Sequence, residues 1–372
     1  MRVLQVGKFY PPDPGGVETA TRQVVEQLAA LGMEPGVLCF AGEGPYDDLG
    51  LPWPVWRAPA FAAVASQPLS VVYVRRLAAL APHFDALHVH LPNPLAALAV
   101  FLARPKARVV LHWHSDVIGK GTLARLVAPL EGWLCRRADL VIGPTPVHLA
   151  ASNRAAVIAP KGAVVPFCVD PSMPSPAAAD AARVAALRQR FGGRGIVFSL
   201  GRLVPYKGFD VLIEAAKALP GDVRVVIGGG GPQAESLAAR IERENLGAKV
   251  FLAGRIPDAA MPDWLAACDV FCLPSVTRAE MFGIVQLEAM AFGKPVVSTD
   301  IPGSGVPWVN RQGETGLVVP PGDAAKLAEA LTTVLADASL AERLGQGGRA
   351  AVAGRFSPKA VRRALAEAYA RL

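Results

Sequence analysis

Short, almost wholly apolar segments alternate with longer segments of helical character, and the alternation runs through twice; no other property restricts this chain as strongly. In the first half the apolar segments are RVLQVG, PGVLCF, DALHVH, ARVVLHWH and ADLVIG, with helical stretches after GGVETA and around Val72 to Leu80. Strands that are apolar on both sides must be covered on both faces, which predicts a parallel sheet between layers of helices. Residues 166–192 break the rhythm. The stretch PFCVDPSMPSPAAAD is rich in proline and small residues, as suits a linker followed by a helix through Arg190. The pattern restarts with GIVFSLGR, DVRVVIGGGG, AKVFLAG, CDVFCLP, PVVSTD and TGLVVP, and helical patterns over Asp323 to Leu335 and Pro358 to Leu372 close the chain. The expected architecture is α/β, with two doubly wound, Rossmann-like domains over 1–165 and 193–355, a linker and first helix over 166–192, and a last helix over 356–372.

A length of 372 residues exceeds what one hydrophobic core usually serves, in keeping with two domains. Hydrophobic residues make up 52% and charged residues 19%, which excludes disorder, and no uncharged apolar run reaches the roughly 18 residues of a membrane span. The opening MRVLQVGKFYPP has neither the long apolar region nor the cleavage site of a signal peptide, so the expected location is cytoplasmic. Five scattered cysteines without a C-x-x-C pair predict buried thiols rather than disulfides or a zinc site.

The formal net charge of +7 is concentrated: Arg57 to Arg137 holds ten bases and three acids. Trp53, Trp56, Phe61, Tyr73, Trp113 and Trp133 lie in or beside that region. Bases mixed with aromatics suit an anionic membrane surface, here through residues 57–137, or a phosphate-bearing substrate; a solvated basic face is the other reading. No nucleic-acid-binding module accompanies the charge, so no nucleic acid partner is expected.

Motifs at strand ends carry the chemistry, because ligands of doubly wound sheets bind outside the carboxyl ends of the strands. In SLGRLVPYKGFDVLIEA, Arg202 and Lys207 sit in the loop leaving a strand just before a helix, an arrangement fit for an anion as doubly charged as a diphosphate. Gly15 and Gly16 follow the first strand and open an amphipathic helix whose free N–H groups suit a phosphate, although a glycine pair is also ordinary turn chemistry. The strand ARVVLHWHSD runs out in His112, Trp113, His114, Ser115 and Asp116; His114 is the favoured cleft residue, able to donate hydrogen bonds or assist proton movement. His112 alternates with it and could equally be a satisfied core histidine, and His88 and His90 end the preceding strand in the same way. The tract Gly228 to Gly231 is a tight turn after a strand, without a G-x-G-x-x-G in the first domain to make it a dinucleotide fingerprint. There is no Asp-x-Asp and no spacing typical of metal ligands, so no metal is expected.

The stretch EMFGIVQLEAMAFGKP raises a different question. Glu288 falls on the helical face of Ile284, Leu287, Ala291 and Phe292, where an unpaired carboxylate would be costly unless it meets a ligand or a polar cleft.

Taken together, GRLVPYKGFDVLIEA, the two glutamates of EMFGIVQLEAMAFGKPVV and GETGLVVPPGD resemble the retaining family 4 glycosyltransferases of GT-B fold, over nearly the whole chain and most strongly from Ser199 to Asp323. The resemblance implies two domains facing across a cleft, with the last helix crossing back onto the first. It implies that Arg202 and Lys207 clamp the donor diphosphate, that Glu280 accepts hydrogen bonds from donor sugar hydroxyls, and that Glu288 holds the ribose hydroxyls. The backbone of Phe282, Gly283 and Ile284 would meet sugar or phosphate, His114 would be the cleft histidine, and Gly15 and Gly16 would form the donor-facing loop. The implied reaction moves a hexose-type sugar, with retention, from a UDP- or GDP-sugar to a hydroxyl of a glycan or lipid-linked acceptor, without a metal or other cofactor, in cell-surface polysaccharide assembly at the inner face of the membrane. Met281 replaces a common proline, and IPGSGVPWVNRQGETG lacks a common acidic residue, which leaves recognition of the base or sugar open. A nucleotide-sugar epimerase and a non-catalytic nucleotide-sugar-binding subunit are the competing expectations.

Overall fold

The computed structural model describes the chain except residues 14, 43–45, 47, 65–66, 117–120, 170–174 and 192–194 and the side chains of 49 and 121–124. It divides into two compact units, one of Met1–Phe167 with Pro358–Leu372 and one of Cys168–Ser357. Part of the proline-rich linker lies outside the described residues.

In the first unit, β1 (Arg2–Val6), β2 (Glu34–Phe40), β3 (Val55–Ala58), β6 (Ala86–Leu91), β7 (Arg108–Trp113), β8 (Leu140–Gly143) and β9 (Gly162–Val164) form one sheet in the order β3-β2-β1-β6-β7-β8-β9. Every pairing is parallel. β4 (Ala62–Val64) and β5 (Gln67–Leu69) make a separate antiparallel hairpin. The sheet core is built as the apolar runs dictate, from Leu4, Val6, Leu38, Phe40, Leu87, Val89, Val109 and Leu111. Helix Pro358–Tyr369 packs on helix Gly16–Ala30 and on β9, burying Val361, Leu365, Ala368 and Tyr369.

In the second unit, β10 (Gly195–Leu200), β11 (Val223–Gly228), β12 (Val250–Gly254), β13 (Val270–Leu273), β14 (Val296–Thr299) and β15 (Gly316–Val319) form a second parallel sheet, ordered β12-β11-β10-β13-β14-β15. Helices Phe209–Ala218 and Ala324–Ala336 add Phe209, Leu212, Leu327 and Leu331 to its core. Strand order reverses beside β1 in one unit and beside β10 in the other. The crevice at such a reversal, at the carboxyl ends of the strands, is where doubly wound sheets take ligands.

All eleven strands expected from the apolar runs are present. Missing from that reading are the short β3, β4, β5 and β9 and the helix Ala338–Ala353.

Candidate active site

In the second unit the loops leaving β10, β13 and β14 meet. After β10 the chain makes a short turn over Pro205–Lys207, passes Gly208 at φ 67° and enters helix Phe209–Ala218. Only glycine fits there, since a Cβ would lie 2.1 Å from the Pro274 carbonyl oxygen as well as strain the backbone. That close approach, with Val276 N donating to Tyr206 O at 2.8 Å, lays the β10 loop against the β13 loop. Lys207 Nζ consequently reaches Glu280 Oε2 at 2.5 Å, with side chains only 12% and 11% exposed. Ser275 Oγ donates to the same carboxylate oxygen at 3.0 Å. Arg202 stands exposed in the same loop.

Beyond Glu280 the chain passes Phe282 and Gly283, which caps helix Ile284–Ala291 without a side-chain hydrogen bond. The helix's first N–H groups have no intrahelical partner, so its N-terminus favours an anion. The Phe282 ring is committed to the core against Phe356, which leaves its backbone as the part able to meet a ligand. Ser304 Oγ donates to the Glu280 carbonyl at 2.5 Å, and Gly305 N donates to Met281 O at 2.8 Å, so the PGSGVPW loop braces the glutamate segment. Neither Ser275 nor Ser304 stood out in the sequence, because a hydroxyl residue beside glycine or proline reads as turn chemistry.

Glu288 departs from expectation in one respect. The buried face of its helix is Gln286, Leu287, Ala289 and Met290, whereas Ile284, Glu288 and Ala291 are half-buried. Of the stripe read as apolar from Ile284, Leu287 and Phe292 are buried while Ile284 and Ala291 are half-buried, so Glu288 stands at the border of the buried face. The glycine tract after β11 behaves as a packing device: a Cβ on Gly229 would lie 1.9 Å from Gly201 O, and Leu203 N donates to Gly230 O at 2.9 Å.

In the first unit, Gly15 and Gly16 are exposed at the start of helix Gly16–Ala30, after β1 at the reversal of strand order. Burial pushes the Glu18 carboxyl upward, against the opposing pull of its own backbone N–H. On the neighbouring strands the period of two places His88 and His90 of β6, and His112 of β7 with His114 just beyond it, on one face, and the register sets His90 beside His112. All four imidazoles are buried. His90 Nδ1 meets His114 Nε2 at 2.9 Å, His90 Nε2 meets Gln5 Oε1 at 2.8 Å, His88 Nε2 meets His112 Nδ1 at 3.2 Å, and His88 Nδ1 meets the Tyr369 hydroxyl at 2.7 Å. The rings of His112 and His114 stack at 4.3 Å. Desolvation pushes His112 down to about 3 and His88, His90 and His114 well below the usual imidazole range, which favours the neutral rings. The sequence left His88, His90 and His112 as separate alternatives to His114; the structure makes one network of them. Trp113 points to the opposite, core face. Asp116 accepts from Ser152 Oγ at 2.6 Å and from Asn153 N at 3.2 Å, a latch between loops.

The basic aromatic region needs correction. Arg57 is buried, not part of a solvated face: its Nε donates to Asp48 at 2.8 Å and its Nη2 to Pro11 O at 2.6 Å. Tyr73 and Trp113 are core residues, Trp53 donates to the Tyr10 hydroxyl and Trp133 packs on Phe101. Arg75, Arg104, Lys106, Arg125 and Arg136 remain exposed; Lys120 lies outside the described residues.

Two family models match the chain: "Glycosyl transferase 4-like domain" over residues 15–168 and "Glycosyl transferases group 1" over 187–351. The O-antigen chain mannosyltransferase C of Escherichia coli is 30% identical over 94% of this chain and 92% of its own length. D-rhamnosyltransferase WbpZ of Pseudomonas aeruginosa is 30% identical over 94% and 91%. Among solved structures, Anabaena Alr3699/HepE, crystallised in complex with UDP, superposes with a TM-score of 0.80 over the full length of both chains at 24% identity. With two parallel sheets in the same architecture and family matches in both halves, the chain belongs to the group 1 glycosyltransferases of GT-B fold and is an enzyme of the transferase class.

Proposed function

We propose that the chain transfers a hexose-type sugar from a UDP- or GDP-sugar to a hydroxyl of a glycan or lipid-linked acceptor, with retention at the anomeric carbon, in cell-surface polysaccharide assembly. The observation that carries the reading is the Lys207–Glu280 pair, held by Ser275 at the carboxyl ends of β10 and β13. Before the donor arrives each charge of the pair is met by the other. Arrival of a diphosphate gives Lys207 a more highly charged partner, and Glu280 then accepts from the sugar hydroxyls. Arg202, Lys207 and the N-terminus of helix Ile284–Ala291, with the N–H groups around Phe282, Gly283 and Ile284, offset the charge of the leaving group, so no metal is required there. Glu288 takes the ribose hydroxyls. In the first unit, Gly15, Gly16 and His114 are the residues we assign to contacts with the donor sugar.

The relatives named for mannosyl and D-rhamnosyl transfer support a hexose or deoxyhexose donor and an acceptor of the O-antigen kind. We read the first unit as resting on an anionic membrane surface. Helix Val71–Leu80 exposes Val71 and Val72, helix Pro94–Ala103 exposes Leu98 and Leu102, helix Gly121–Arg137 exposes Leu126, and Phe61 of the hairpin region is 72% exposed. These helices are packed in series, and Arg75, Arg104, Lys106 and Arg125, on or just after them, are exposed as well. No helix among the described residues is long and apolar enough to cross a membrane.

A thermal-shift screen against UDP, GDP, ADP and TDP tests the donor site, because a ligand that binds only the native state raises its melting temperature. UDP or GDP should give the largest rise, and Lys207→Ala should abolish it. No rise with any of the four would overturn the reading.

A further inference from the structure

We propose that Glu280 makes the donor site prefer a loaded nucleotide sugar over the spent nucleoside diphosphate, by competing with the bare diphosphate for Lys207. The inference rests on the reading of Arg202, Lys207 and Glu280 as donor contacts. One ammonium then has two anionic claimants. The structure gives it to the carboxylate, at 2.5 Å and largely shielded from water, and a diphosphate held by the same loop would have to take it from there.

The two members of the pair are not equally restrained. Glu280 is fixed at both ends: Ser304 Oγ donates to its carbonyl at 2.5 Å, and Ser275 Oγ donates to its Oε2 at 3.0 Å. Both serines are fully buried, and the Ser275 carbonyl accepts in turn from Thr299 Oγ1 at the end of β14. Lys207 instead reaches the carboxylate on a flexible stem laid across Gly201, where a Cβ would come within 3.2 Å of its Cε and 3.3 Å of its Nζ. The lysine is therefore the partner that moves, and the carboxylate the one that stays.

What the carboxylate meets when the lysine turns away decides the affinity. With a nucleotide sugar, the sugar hydroxyls replace the ammonium at Glu280, so each charge keeps a partner. A nucleoside diphosphate that has lost its sugar brings no hydroxyl to that position. Its phosphates gain Lys207 only by leaving a shielded carboxylate with the Ser275 hydroxyl as its remaining partner among the described residues, and a charge stripped of its partner out of water is unfavourable. If Lys207 stays with Glu280, the phosphates are left with Arg202 and the N-terminus of helix Ile284–Ala291. Either way the spent nucleotide binds more weakly than the cations of the loop would allow, and its departure after transfer is hastened.

Calorimetry on the full-length protein with UDP and GDP reads the competition. Glu280→Gln should bind whichever of the two wild type binds about tenfold more tightly, because Lys207 then has no second anion to satisfy. In the Lys207→Ala background the same substitution should give no gain, which separates competition for the ammonium from plain relief of charge repulsion. A wild-type crystal soaked with that nucleotide gives a reading that needs no variant to fold: Lys207 Nζ should bond a phosphate or Glu280, and not both. Unchanged or weaker binding by Glu280→Gln, an equal gain in the Lys207→Ala background, or a lysine bonded to carboxylate and phosphate together would overturn the proposal and leave the donor-site reading standing. Binding of neither nucleotide by wild type would remove the donor-site reading itself, and this inference with it.

Discussion

Lys207 is held by Glu280 and is the side chain on which the proposed donor site most depends. Its contact with Glu280 is largely shielded from water, so removing the ammonium leaves the carboxylate with the Ser275 hydroxyl as its remaining partner among the described residues. Lys207→Ala should lower kcat/KM for sugar transfer by about 100-fold or more, the usual effect of deleting one preorganised charge from a transition-state site. Circular dichroism and the melting curve should still report a folded chain; full turnover by that folded variant would refute the role. The two charged loop residues and the paired glutamates were legible in the sequence because bases and acids beside glycines at strand ends have few structural uses. Ser275 and Ser304 were not, since what singles them out is a partner made near by folding. The histidine layer was unreadable as a unit for a related reason: His90 and His114 are 24 positions apart, and only the β6–β7 register brings them together.

Among the elements, helix Ala338–Ala353 is the instructive omission. Its sequence ASLAERLGQGGRAAVA contains three glycines, which reads as a loop. All three are packing choices: a Cβ on Gly347 would lie 1.9 Å from the Glu314 carbonyl oxygen. A Cβ on Gly345 would lie 2.1 Å from the Gly293 carbonyl oxygen, and one on Gly348 would press on Met290 at 3.1 Å. The helix therefore approaches helix Ile284–Ala291, which carries Glu288, backbone to backbone. Two effects oppose each other in Gly345→Ala: helix propensity favours alanine by about 1 kcal/mol, whereas forcing atoms into a filled contact with immovable backbone costs about 1–3 kcal/mol. At 2.1 Å the contact should win, and urea unfolding should show net destabilisation with a displaced Glu288 helix. A variant as stable as wild type would mean the two helices separate easily. The small strands β3, β4, β5 and β9 escaped notice for another reason: three or four residues are too few for a period to show itself.

For the molecule as a whole, the sheet-forming runs gave the doubly wound architecture directly, because a buried parallel strand has no polar face to obscure it. Charge was a poorer guide. The count over residues 57–137 included Arg57, which burial and Asp48 have withdrawn from the surface, and aromatics that belong to the core. What remains for a membrane is the set of exposed apolar side chains on three successive helices, together with exposed arginines on or beside the same helices. Vesicles containing anionic lipid should sediment the protein at low salt and release it as salt rises, since surface attraction is screened within about 10 Å at 0.1 M. Phe61→Ser combined with Leu102→Ser should cut that binding several-fold while leaving nucleotide binding intact; indifference to anionic vesicles would remove the membrane reading.

The first unit is made of two separate stretches, Met1–Phe167 and Pro358–Leu372, and the second of one uninterrupted stretch between them. During synthesis the lobe that begins to emerge first must wait for its final helix, with Tyr369 and its bond to His88, until the whole of the later lobe has left the ribosome. Residues 168–357 could thus be produced as a free-standing piece from one continuous reading frame. The other lobe would need its last fifteen residues joined on by a designed linker or supplied as a separate peptide.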